Sequence, residues 1–241
     1  MKIIIENTYE ALSETLGAML LAEMLKNKRV NIDLTDGSSP KGAYEIVAKK
    51  IAEDPLRYTN VHYYNHDEAK GDFKMVDSIL NEQIHRPFQV QETNIHRLEF
   101  EEPYKQIKAI EDAGGLDLMV LGLGADGHFC ANFPDATQFD KLVYTFEPKK
   151  YDWYEAYCKN YGVDSLGELA TFGFKMVLKT KRVVLVVNGL KKAQAVKDIL
   201  TKPISTHIPG TILRCMDNLT LLLDKEAASL LSEEDIKGTS L

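Results

Sequence analysis

Two periods alternate along this chain. Short runs rich in apolar residues read as strands: residues 2–6 (KIIIE), 30–35, 61–64, 116–123 (LDLMVLGL), 182–187 (RVVLVV) and 219–223 (LTLLL). Between them, apolar residues recur at helical spacing. Leu12, Leu16, Met19, Leu20 and Met24 mark a helix within residues 8–26, and others are predicted at 41–52, around 76–84, at 190–200 and at 225–231. Residues 142–146 add a less regular strand. A run such as LDLMVLGL, apolar on both alternations, suits a strand covered on both faces. Strand–helix alternation of this kind predicts an α/β fold: a mainly parallel, doubly wound, Rossmann-like sheet with helices on both faces.

No internal repeat, low-complexity tract or linker interrupts the pattern, so one domain over residues 1–241 is expected. The 241 residues by themselves allow one large α/β domain or two small ones. Residues 140–172 stand apart as a lid or insertion. Within them, residues 144–161 hold five of the eleven tyrosines and Trp153, the one tryptophan. A mobile lid, a contact surface and an aromatic mini-core packed on the sheet all fit that composition.

Composition removes whole classes. With 44% apolar and 27% charged residues, the chain is neither collagen-like, coiled-coil nor disordered. Its 29 Lys+Arg against 36 Asp+Glu give a net charge of −7, which offers no broad hold on nucleic acid or a membrane surface. A local pocket for one small anion is still allowed. Cys130, Cys158 and Cys215 are widely spaced with no C-x-x-C pair, which predicts reduced thiols in a cytoplasmic protein. No stretch approaches the ~20 apolar residues of a membrane span, and MKIIIENTYEALSE is not a signal peptide.

In a parallel sheet, ligands bind beyond the carboxyl ends of the strands, so the turns that follow each strand carry the candidate chemistry. The turn Thr35-Asp36-Gly37-Ser38-Ser39-Pro40 opens a helix. Gly37 permits a positive φ, Ser38 or Ser39 can cap the helix, and its N-terminal amides suit a phosphate. Asn65-His66-Asp67-Glu68 places two carboxylates past a buried strand, where one can serve as a general base.

Gly122-Leu123-Gly124-Ala125-Asp126-Gly127-His128 contains G-x-G-x-x-G, and Glu147 follows about twenty residues on. However, Pro134 leaves no room for the crossover helix of a dinucleotide site, so no nucleotide cofactor is expected. What remains is an Asp and a His two residues apart on a glycine-rich turn, an arrangement suited to proton shuttling. Lys191 and Lys192 in Gly189–Ala193 supply cations at a helix start, and Lys175 is a weaker cation candidate. His62 and His66 have H-x-x-x-H spacing but run from a strand into a turn, so no metal set is predicted.

Taken in order, T-x-G-S-x-P-x-G (residues 35–42), N-x-D-E (65–68), D-L-x-x-L-G-x-G-x-D-G-H (117–128) and G-x-x-K-A (189–193) resemble the glucosamine-6-phosphate deaminase/isomerase family. The resemblance implies a three-layer α/β/α fold and a metal-free, cofactor-free enzyme acting on a phosphorylated amino sugar. It implies Asp67 as the base moving a proton between C2 and C1, and His128, oriented by Asp126, as the group assisting ring opening. It implies Gly37, Ser38, Ser39 and Lys192 as the phosphate site, with Lys175 standing in for the family's arginine.

Two positions depart from the patterns of the wider superfamily. Phe133 stands where the deaminases normally carry a Glu, and Ala69 follows Asp67-Glu68 where lactonases of 6-phosphogluconolactonase type carry an Arg. Lactone hydrolysis, with His128 activating water, and non-catalytic sugar-phosphate sensing are the alternatives. Whether the chain forms a homo-oligomer is not legible in this pattern.

Overall fold

The computed structural model describes residues 1–71, 76–161 and 164–237. Its first half runs β1 (Lys2–Glu6), α1 (Tyr9–Met24), β2 (Val30–Leu34), α2 (Ser38–Glu53), β3 (Val61–Tyr64), β4 (Asp67–Ala69), β5 (Ile95–His96), α3 (Pro103–Asp112) and β6 (Leu118–Leu121). The second half runs β7 (Val143–Phe146), α4 (Tyr154–Tyr161), β8 (Leu169–Phe172), α5 (Phe174–Lys179), β9 (Val183–Val187), α6 (Ala193–Thr201), β10 (Leu219–Asp224) and α7 (Glu233–Lys237). Among the described residues no helix is long and apolar enough to cross a membrane.

Seven strands form one sheet in the order β1-β10-β9-β6-β2-β3-β5, and each neighbouring pair is parallel. From β2 the chain adds β3 and β5 on one side, then returns to place β6 and β9 on the other. The order therefore reverses between β2 and β6, and the crevice at their carboxyl ends is where such sheets bind ligands.

The central strands β6 and β9 are apolar throughout because both faces are covered. On β9, Val183, Leu185 and Val187 pack with Ile110 of α3, Val177 of α5 and Val196 of α6, whereas Val184 and Val186 pack with Leu16 of α1 and Val47 of α2. Each such side chain contributes about 1.5–3 kcal/mol on burial. The result is the α/β fold with three layers.

A second sheet, antiparallel and in the order β4-β8-β7, sits beside the first. Residues 140–172 supply two of its strands and α4. Phe133, Tyr144 and Phe146 form a separate apolar core beneath it, against which Trp153 and Tyr157 pack. The aromatic run thus builds a mini-core.

Several elements differ from the sequence pattern. Residues 225–231 form successive turns, not a helix. The Asp224 carboxylate takes the Ala227 N–H at 2.8 Å, and Ser232 caps the following α7 through the Asp235 N–H at 3.2 Å, so the helix starts one segment later. Residues 190–192 make a 3₁₀ turn before α6, and residues 76–85 wind as a wider π-type helix. β4, β5, α3, β8 and α5 escape the periodicity, being short or placed by their partners.

Candidate active site

Four turns leave the carboxyl ends of the adjacent strands β9, β6, β2 and β3, and they carry most of the candidate residues. After β2, Gly37 adopts a φ of +104° and stands just before α2, so Ser38 and Ser39 lie inside its first turn. Neither serine is the cap that the sequence suggests: a glycine that admits this φ serves there without a side-chain bond. The Ser39 hydroxyl donates to Asn188 Oδ1 at 2.7 Å, tying the β2 turn to the β9 turn, and the Gly37 N–H donates to Gln83 Oε1 at 3.1 Å. Lys192 follows β9 and donates from Nζ to the Leu123 carbonyl at 2.6 Å. Burial lowers its pKa, and the nearby Asp126 charge opposes that shift. Lys192 therefore joins the β9 turn to the β6 turn.

After β6, Asp126 and His128 form a local pair. Asp126 Oδ1 lies 2.6 Å from His128 Nδ1 and accepts the His128 backbone N–H at 3.1 Å. Burial would raise the Asp126 pKa, but these two contacts hold it below the usual carboxylate value. Glycine is required at 124 because a Cβ there would collide with both His128 Nδ1 and Asp126 Oδ1. With Nδ1 turned to the acid, Nε2 is the nitrogen left to exchange a proton with a ligand.

Asp67 is held from several directions. Its Oδ1 accepts the Thr171 hydroxyl at 2.5 Å and the Ala131 N–H at 3.0 Å. Its Oδ2 faces His66 Nε2 at 3.4 Å, while His66 Nδ1 lies 2.5 Å from Asp33 Oδ1. Asp33 is fully buried and His66 nearly so. Burial raises the Asp67 pKa, and the His66 charge, the Thr171 hydroxyl and the Ala131 amide counter it. Burial pulls the His66 pKa down, but Asp33 and Asp67 together raise it to about 9. Asp36, half-buried on the β2 turn, has its pKa raised by burial and by Asp67.

Phe133 faces the His128 ring at 4.4 Å between centroids, and Trp153 stacks on its other side at 4.4 Å. The position expected to carry a carboxylate is thus an aromatic wedge tied to the mini-core. A cavity of about 550 Å³ borders this region, lined in part by Asp126, Tyr151, Trp153 and His207.

Not every candidate converges. Lys175 is exposed on α5, and no hydrogen bond or ion pair joins it to the cluster. His62 turns to His96, with Nδ1 3.0 Å from Nε2, while His66 turns to Asp33, so the two do not share a ligand. Among the described residues no group of three His, Cys, Asp or Glu side chains could hold a metal ion. Cys130, φ +47°, has its thiol pushed well up by burial and by Asp67 and Asp33, which makes it a poor nucleophile.

Asp33, Thr171, Asn188 and the His66 ring as a partner of Asp67 were not identified as part of the site from sequence. Asp33 carried one signal, an acid within a strand that is otherwise apolar except for Asn31. Thr171 carried none, since it reaches Asp67 only through the β4–β8 pairing, where the two residues are in register.

The model of the family "Glucosamine-6-phosphate isomerases/6-phosphogluconolactonase" matches residues 5–221. A glucosamine-6-phosphate deaminase of Thermoanaerobacter sp. (strain X514) is 30% identical over 253 residues, spanning 98% of both chains. Its namesake from Alkaliphilus oremlandii (strain OhILAs) is 28% identical, covering 96% of this chain and all of the other. Among solved structures, a monomeric glucosamine-6-phosphate deaminase of the NagB superfamily superposes with a TM-score of 0.82 at 24% identity, covering 96% of this chain and 100% of that one. The 6-phosphogluconolactonase of Trypanosoma brucei gives 0.71 at 19%, covering 96% and 98%. These two likenesses carry the fold.

Proposed function

The chain belongs to the glucosamine-6-phosphate isomerase/6-phosphogluconolactonase family, and from that premise we propose that it is a deaminase/isomerase of a hexosamine 6-phosphate. Its products are a ketose 6-phosphate and ammonia. The observation that supports this reading best is the pairing of a half-buried, hydrogen-bonded carboxylate at Asp67 with the Asp126–His128 pair on the neighbouring turn.

The phosphate sits at the amino end of α2, against Gly37, Ser38 and Ser39, with Lys192 as its cation. His128 Nε2, oriented by Asp126, takes the C1 hydroxyl proton and delivers it to the ring oxygen as the C1–O5 bond breaks, opening the pyranose to the free aldehyde. Asp67 Oδ2 takes the C2 proton and returns it to C1 through an enolamine. The C2 imine so formed adds water and loses ammonia. Remote phosphate binding energy holds C1 and C2 over the base. Oδ2 performs the transfer because Oδ1 is occupied by Thr171 and Ala131.

Incubation with glucosamine 6-phosphate or galactosamine 6-phosphate, with ammonia and ketose 6-phosphate both measured, tests the proposal. Folded protein that turns over neither substrate overturns it.

Phe133 favours a second reading, hydrolysis of a sugar-phosphate lactone. It leaves His128 with a single acid, which is enough to activate water but shortens a proton relay. Asp67→Asn separates the two: C2 proton transfer collapses, whereas lactone hydrolysis survives.

A further inference from the structure

The base proposed above has a neighbour that no family resemblance assigns. His66 is 6% exposed and Asp33 is 0% exposed. They meet at 2.5 Å through Nδ1 and Oδ1, which fixes the imidazole plane and aims Nε2 at Asp67 Oδ2. We propose that His66, clamped by Asp33, is a positioning residue that holds Asp67 as a carboxylate with Oδ2 free for substrate. This rests on reading Asp67 as the base.

The argument is geometric first. A carboxylate buried as deeply as Asp33 is costly unless a charge compensates it, and its second oxygen, Oδ2, has no hydrogen-bond partner. A proton on His66 is the compensation at hand, and a doubly protonated ring must present its second N–H to Asp67. At 3.4 Å that N–H is too far for a strong hydrogen bond and near enough for an ion pair. The contact therefore favours the charged form of Asp67 without occupying the lone pair that would take a proton.

The other groups facing this cluster leave the assignment intact. Asp36, on the turn after β2, adds negative charge near the ring. Tyr44 on α2 donates its hydroxyl to the Thr35 carbonyl, and burial keeps it neutral. The Cys130 thiol is likewise neutral. Thr171 on β8 contributes only its hydroxyl to Asp67.

Two measurements test the proposal. In ¹⁵N-histidine NMR of the unliganded protein, His66 stays doubly protonated well above neutral pH, and Asp67→Asn lowers its titration midpoint. In pH profiles of kcat/KM with the amino-sugar phosphate, His66→Gln moves the acid limb upward by about one unit. It costs about tenfold on the acid side, with recovery toward alkaline pH. Asp33→Asn lowers the His66 midpoint in the same NMR experiment, because it removes the counter-charge that raises it.

A His66 midpoint that ignores Asp67→Asn overturns the proposal, as does an equal loss of kcat/KM at every pH. If His66→Gln does not fold, the NMR comparison of wild type with Asp67→Asn decides alone. Wild-type protein without turnover overturns the deaminase reading instead, and the NMR coupling still decides the role of His66.

Discussion

The turn after β6 and the turn after β3 each carry an acid and a histidine, yet they are built by opposite means. Asp126 and His128 are two residues apart, and a single glycine-rich turn sets their 2.6 Å contact. Asp67 and its histidine are adjacent, and adjacency contributes little. The carboxylate is fixed by Ala131 and Thr171, 64 and 104 residues away, and His66 is fixed by Asp33, 33 residues away. The first pair is the more exposed, at 17% for His128 and 39% for Asp126 against 7% for His66 and 12% for Asp67. The locally built pair suits proton exchange with a ligand in solvent contact, and the remotely built one suits a base shielded from water. The contrast shows how neighbouring turns at one end of the sheet give two acid–histidine pairs different partners and different exposure.

The sharpest way to break this contrast is Asp67→Asn, which should lower amino-sugar phosphate turnover by about 10³-fold or more with binding largely kept. Ammonia release under saturating substrate checks it. Next comes Phe133→Glu, which restores a carboxylate beside His128 at the expense of the aromatic stack. Because Phe133 is buried between His128 and Trp153, stability should fall by about 3–5 kcal/mol in denaturant titration.

His128→Gln should cost about 10²-fold in turnover. Asp126→Asn and the double variant should cost much the same, since the two residues act as a unit. Additive losses would show that Asp126 works independently. The smallest effect belongs to Thr171→Val. The Thr171 hydroxyl lowers the Asp67 pKa, so its removal raises that pKa and moves the acid limb of kcat/KM to higher pH. Activity on the acid side should drop by about tenfold and approach the wild-type value above the limb.

The layered sheet was legible because β6 and β9 are apolar at every position, as burial on both faces requires. Short elements were not. β4 is three residues long and begins with the acid Asp67, so it has no periodic signature and exists because β8 pairs with it. Residues 225–231 look helical by composition, but the Asp224 carboxylate takes the amides of both Gly189 and Ala227 and fixes turns instead. Lys175, expected to stand in for the family's arginine, lies exposed on α5 with no hydrogen bond or ion pair to the cluster.

The sequence by itself determined the alternation of strands and helices, the glycine-rich turn that presents Asp126 and His128, and the helix start that suits a phosphate. These depend on contacts within a few residues, where backbone geometry leaves little choice. Only the tertiary structure decided that Thr171 and Ala131 hold one Asp67 oxygen while the other faces His66, that Asp33 clamps His66, and that Trp153 stacks on Phe133. Those contacts join segments tens of residues apart, and their partners are set by sheet register and packing, which no local pattern encodes.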